Sequence, residues 1–135
     1  MGFISVLLAI ILSLFISTVG GVQQQSANTE RETDIKALYG QVEAYYAANG
    51  NYPTLADMNN STWLQTNMRG LDKEALRDPK GTGYTLSAKP AANVYSYDVT
   101  SADGKPCDDV KIDCAQYTLT ATYDGGGTFT RSNLN

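Results

Sequence analysis

Phe3 to Val19 reads FISVLLAIILSLFISTV, seventeen residues with no charge and no proline, and polar helix-forming sequence follows within a few residues. At about 1.5 Å rise per residue this run spans roughly 26 Å as a helix, close to the ~30 Å hydrocarbon core of a bilayer. Such a segment either sits in a membrane or buries itself against copies of itself. A secretory signal would need a basic n-region and a small-residue cleavage site; Ser26-Ala27 offers the second, and nothing basic precedes Phe3. The remainder of the 135 residues suffices for one modest domain. The expected division is therefore 3–25, a transmembrane or filament-core helix, and 26–135, a globular head.

Charge and chemistry narrow the function classes. The net charge is −4, with no lysine- or arginine-rich run, so the basic footprint of a nucleic-acid binder is missing and no nucleic-acid partner is expected. Histidine is absent altogether, which removes the commonest general base and metal ligand. No activated nucleophile or carboxylate pair stands at recognisable spacing, so the expectation is a non-enzyme without a cofactor. Cys107 and Cys114 are too far apart for a C-x-x-C redox motif. Behind an export-type segment an even cysteine count favours a disulfide, against the alternative of two buried thiols.

Beyond the apolar run the chain is punctuated legibly. Gly20-Gly21 lowers helix propensity by roughly 1 kcal/mol per glycine relative to alanine, and a hinge is expected there. Thr29 and Glu32 match a capping box that a helix running through from the membrane leaves unused. Ile35, Leu38, Val42, Tyr45 and Tyr46 then recur at three- and four-residue steps, one apolar stripe on a helix ending near Asn49-Gly50. Arg31, Asp34, Lys36 and Glu43 are read as its opposite, solvated face. Short helical turns are expected at Leu55 to Met58, Ser61 to Met68 and Asp72 to Leu76, and a β-turn at Asp78-Pro79-Lys80-Gly81.

After that turn the period becomes two. Tyr84-Thr85-Leu86 is a candidate strand, Tyr95, Tyr97 and Val99 alternate with polar residues, and Tyr117, Leu119, Ala121 and Tyr123 alternate with threonines and a glutamine. Asp124-Gly125-Gly126-Gly127 turns the chain back into Thr128 to Arg131 as a hairpin. The expected fold is α+β: a long N-terminal helix, membrane segment plus amphipathic spine, packed on a small antiparallel sheet.

Two further patterns compete with the reading of plain solvated loops. Asp103, Asp108, Asp109 and Asp113 gather near Gly104 and could furnish oxygen ligands for calcium, although their spacing is not that of an EF-hand. Asn59-Asn60-Ser61-Thr62 holds two overlapping N-x-[ST] sequons, which mark an exposed loop more securely than a glycan.

The residues together resemble the type IV pilin and pseudopilin family, most closely its major type II secretion pseudopilins. Gly2-Phe3 resembles the junction cut by prepilin peptidase. Tyr45-Tyr46-Ala47-Ala48-Asn49-Gly50-Asn51-Tyr52-Pro53-Thr54 is similar to the NGxYPT-like turn that ends the family's spine helix, and Gly70-Leu71 and Asp78-Pro79-Lys80-Gly81-Thr82-Gly83-Tyr84 to its GL and DPxGxxY segments. The resemblance covers Phe3 to about Leu86. Counted from Phe3, the fifth position is Leu7, where the family usually carries the glutamate that recognises a neighbour's N-terminal amine.

The resemblance implies a structural subunit of a type IV pilus or pseudopilus-like filament for adhesion, twitching motility or secretion. Leu7, Leu8, Ile10, Ile11, Leu14 and Phe15 would form its assembly seam, and sister subunits, the membrane, the pilus assembly machinery and prepilin peptidase would be its partners. Such a subunit waits in the inner, cytoplasmic membrane and ends in an extracytoplasmic filament at the cell surface. The alternatives are a monomeric membrane-anchored extracytoplasmic binding module and a minor pseudopilin.

Overall fold

Helix α1 (Gly2–Asn49) is the organising element of the computed structural model, which describes side chains from Gln24 to Asn135. The junction Gly2-Phe3, the seam residues Leu7, Leu8, Ile10, Ile11, Leu14 and Phe15, and the Gly20-Gly21 hinge lie outside those described residues. Among the described residues no helix is long and apolar enough to cross a membrane; the apolar run 3–19 is not among them.

The apolar stripe buries as its period requires. Ile35, Leu38 and Val42 are fully buried, and Tyr45 and Tyr46 pack against the same core. Thr29 and Glu32 fall within α1, so the capping box is unused, and the Thr29 carbonyl instead accepts from the Thr33 hydroxyl. The helix stops where glycine permits it: Gly50 adopts φ 81° and its N–H donates to the Tyr46 carbonyl at 2.7 Å.

Pro53 then turns the chain into α2 (Leu55–Met58), whose capping box pairs Thr54 with Asp57, and α3 (Ser61–Asn67), capped by the Asn60 side chain accepting from Trp63 N–H. A 3₁₀ turn at Lys73–Leu76 and a hydrogen bond from Gly81 N–H to the Asp78 carbonyl complete the connection. Strands β1 (Ser96–Thr100), β2 (Gln116–Thr122) and β3 (Thr128–Ser132) form one antiparallel sheet with β2 central. Tyr97 pairs with Leu119, Val99 with Tyr117 and Ala121 with Phe129. These pairs share one face, the face that packs on α1.

Two expectations need correction. Tyr84-Thr85-Leu86 is not a strand, because the Asn59 side chain occupies both backbone groups of Leu86: its amide donates to the Leu86 carbonyl and its oxygen accepts from Leu86 N–H at 2.7 Å. The same bonds give Asn59 of the sequon pair a structural task. Nor are Arg31, Asp34 and Glu43 a solvated face of the spine; all three bind the head, as set out below. Lys36 alone of the four is exposed, its ammonium 5.8 Å from the Phe129 ring centre.

Candidate functional site: the clamp between spine and head

The face on which α1 meets the head carries two polar clamps as well as the apolar stripe. Arg31 stands in register with Ile35, Leu38 and Val42 at four- and three-residue steps, so the helix aims it inward. Its side chain is 0% exposed. Nε donates to Asp78 Oδ2 at 2.7 Å and Nη2 to Asp78 Oδ1 at 2.9 Å, a two-pronged pair with a carboxylate that is also buried. Nη1 donates to Asn28 Oδ1 at 2.8 Å and stands 3.2 Å from Asp124 Oδ1.

Asn28 closes the circuit, since its Oδ1 also accepts from Asp124 N–H and its amide donates to the Asp124 carbonyl. Lys80 meets the other oxygen of Asp124 at 2.6 Å. The hydrogen bond to Asp78 holds the Arg31 guanidinium charged, and the bonds from Lys80 and Arg31 hold the Asp124 carboxyl below its ordinary range. One buried cation thus ties the spine to two separate turns of the head, the Asp78-Pro79-Lys80-Gly81 turn and the β2–β3 hairpin.

The second clamp is a carboxylate surrounded by tyrosines. Glu43 accepts from the Tyr52 hydroxyl at 3.0 Å, the Tyr117 hydroxyl at 2.8 Å and Leu134 N–H at 3.1 Å. Burial first, and then the facing carboxylate, push the Tyr117 hydroxyl well above its ordinary pKa. Tyr52 stacks on Tyr46 at 4.4 Å and meets Tyr117 edge-on at 4.8 Å. Between the clamps, Tyr95 donates to Asp34 at 2.6 Å and Tyr123 to Glu32 at 2.6 Å. Burial pushes Asp34 up to about 6, with Glu30, Asp72 and Asp78 adding to the rise and the Tyr95 bond opposing it. Of the period-two tyrosines, Tyr95, Tyr117 and Tyr123 therefore present their hydroxyls to acids of the helix, while Tyr97 donates to the Pro53 carbonyl at 2.7 Å. The four-residue step from Arg31 to Ile35 was the local signal that the solvated-face reading of Arg31 passed over, whereas the tyrosine–carboxylate pairs join residues as much as 91 positions apart and left no local signal.

Cys107 and Cys114 form the expected disulfide between β1 and β2. The loop between them is held from within: Asp108 Oδ1 accepts from the N–H groups of Val110, Lys111 and Ile112, and Asp109 Oδ1 from Cys114 N–H at 2.7 Å. Those bonds keep Asp108 below its ordinary pKa. Asp103 and Asp113 point into solvent, and among the described residues no group of three or more acidic, cysteine or histidine side chains is gathered to hold a metal ion. Asp108 and Asp109 thus each spend one oxygen on bracing the loop. Cys114 in turn anchors the loop to the spine turn, its carbonyl accepting from Tyr52 N–H at 2.9 Å.

On the other side of the connection, a groove of about 410 Å³ opens between α3, the 3₁₀ turn and the Tyr84 segment. Met58, Met68 and Leu76 form its buried floor, with Leu64 and Leu71 on its walls. No carboxylate is among its lining side chains.

Comparison with known proteins agrees with this architecture. The family model for type II secretion system protein G matches residues 18–113, which include the spine, the Asn49-Gly50 stop, the Asp78 turn and β1. No curated protein and no solved structure gives a significant match. With that match spanning most of the chain, and with a long helix packed on a three-stranded antiparallel sheet, the chain belongs to the type II secretion system protein G family and is a pseudopilin.

Proposed function

We propose that this pseudopilin is the repeating subunit of a secretion filament, assembled through the apolar segment 3–19. The observation that supports this most is the double clamp: with Arg31 and Glu43 both spent on the head, spine and head move as one body, as a subunit loaded through its helix requires. The segment waits in the inner membrane after prepilin peptidase has acted at Gly2-Phe3. Packing of Leu7, Leu8, Ile10, Ile11, Leu14 and Phe15 against sister helices then replaces lipid contacts. Lipid tails are as apolar as leucine, so this exchange carries little hydrophobic gain. Assembly therefore depends on the secretion machinery and on contacts between heads. Non-closing, heterologous contacts between copies generate a helical fibre. The fibre's task is secretion, in line with the family; adhesion and twitching motility are secondary outputs of the same architecture. No cofactor enters this reading.

The test is electron microscopy of sheared extracytoplasmic material from cells expressing the full chain with a type II secretion assembly apparatus, labelled with antibody to the head. Labelled filaments are expected. A full-length chain that remains monomeric in plain buffer and never yields filaments would overturn the proposal. In filaments, Gly20→Ala/Gly21→Ala should reduce extensibility under force, because an extended residue advances about 3.3 Å against 1.5 Å in a helix.

A further inference from the structure

Three large apolar side chains are strongly exposed among the described residues, and two of them, Val110 at 85% and Ile112 at 47%, share the disulfide loop. Scattered exposed apolar residues are ordinary on a protein surface. These two differ in being held out by a rigid scaffold: the Cys107–Cys114 bond closes the loop, and Asp108 fixes the N–H groups of Val110, Lys111 and Ile112 on a single oxygen. The loop is a preformed apolar knob, and preformed elements lose little entropy on docking.

The groove between α3 and the 3₁₀ turn has the complementary character. Its floor of Met58, Met68 and Leu76 is apolar, and thioethers adapt readily to a partner's shape. The charged side chains lining it are Arg69 and Lys73, both cations and both exposed. The knob has the opposite sign, with Asp108, Asp109 and Asp113 set against Lys111 alone. The loop is held fixed on its own body by the disulfide and the Tyr52–Cys114 hydrogen bond.

We propose that Val110 and Ile112 of one subunit dock into the Met58–Met68–Leu76 groove of a second copy of this chain, with the exposed Asp108 and Asp113 facing Arg69 and Lys73. The inference rests on the filament reading and supplies its head-to-head contact. Knob and groove are different surfaces, so each copy gives one and receives one and the chain of contacts stays open. A knob of two side chains is far below the ~1,200 Å² of a stable free interface. The contact therefore forms where the membrane or filament raises the effective concentration of neighbours.

The test uses the full chain in membranes carrying the assembly apparatus, with Val110→Cys and Gln65→Cys at two exposed positions and a bismaleimide cross-linker; the native cysteines, being bridged, do not react. The double variant should give a ladder of covalent oligomers while each single variant stays monomeric. Val110→Asp in a cross-linking pair built on Ile112→Cys and Gln65→Cys should lower the ladder's yield about tenfold, as a loss of contact affinity of that size predicts. Lys73→Glu should also lower the yield, and adding Asp113→Lys should restore it. A separate Leu14→Cys variant reports helix packing as a cross-linked dimer. Leu14 dimers without the ladder overturn the docking contact and leave the filament reading intact. Absence of both overturns both, and a ladder without Leu14 dimers keeps the docking contact and overturns the helix-packed filament.

Discussion

The inner face of the spine and the disulfide loop both concentrate charge, yet they use it in opposite ways. On the spine, Arg31 is wholly buried and fully engaged by Asp78, Asn28 and Asp124. On the loop, Asp108 and Asp113 stay near solvent, Asp108 and the half-buried Asp109 bind local backbone, and the apolar side chains are the ones turned outward. Buried charge makes the subunit one body, because removing either partner strands the other in a medium that cannot solvate it. Exposed apolar surface on a braced loop adds little to the subunit's own stability and is free for contact with others. A substitution should therefore be read by which of the two regions it touches.

The strongest challenge to that contrast is Arg31→Ala. Leaving Asp78 buried without its cation should cost about 3–5 kcal/mol, a large share of a small domain's stability, and chemical denaturation of the head should show it. If Arg31→Ala lowered stability no more than Val110→Ser, the clamp would have no special standing.

Next in size is Cys107→Ser. By the chain-entropy relation, opening so short a loop should cost about 2.5 kcal/mol. Because that effect acts on the unfolded chain, every amide that exchanges through global unfolding should lose protection by the same amount, and β1 and β2 beside the loop should lose more, while α1 stays folded. Loss of protection no larger in β1 and β2 than in α1 would mean that the loop does not brace the sheet locally.

Glu43→Gln keeps an acceptor for Tyr52 and Tyr117 but removes its charge, and should cost about 1–2 kcal/mol, the difference between charged and neutral hydrogen bonds. Glu43→Ala should cost more, since it strands two tyrosine hydroxyls.

The smallest effects are at the edges of the two regions. Asp34, raised to about 6 by burial, lies above its unfolded value. Its contribution is fully present below the unfolded pKa and is lost as the pH rises through about 6. Wild type should therefore lose stability relative to Asp34→Asn between pH 4 and pH 7, by under about 1 kcal/mol given the group's partial exposure to solvent. Thermal melts of both proteins across that range would read it. Val110→Ser should change head stability by less than about 0.5 kcal/mol, so a large loss there would place Val110 in the core rather than on a docking surface.

Periodicity alone determined the layout of this protein. The three- and four-residue recurrence of Ile35, Leu38 and Val42, the glycine stop at Gly50 and the alternation of Tyr117, Leu119 and Ala121 express local geometry. Helix and strand repeat along the chain, and so do their side-chain directions. The same rule reached Arg31, four positions before Ile35, but charge suggested solvent and register meant burial. Only the folded chain could reverse that reading, because a guanidinium enters a core when a carboxylate 47 residues away arrives to meet it. The Tyr84–Leu86 segment failed as a strand for a like reason, its backbone partners being supplied by Asn59 from a distant turn. Local sequence determines which face a residue takes; which partner stands opposite is decided by contacts between residues far apart in the chain, and the energy of a buried polar group depends almost entirely on that partner.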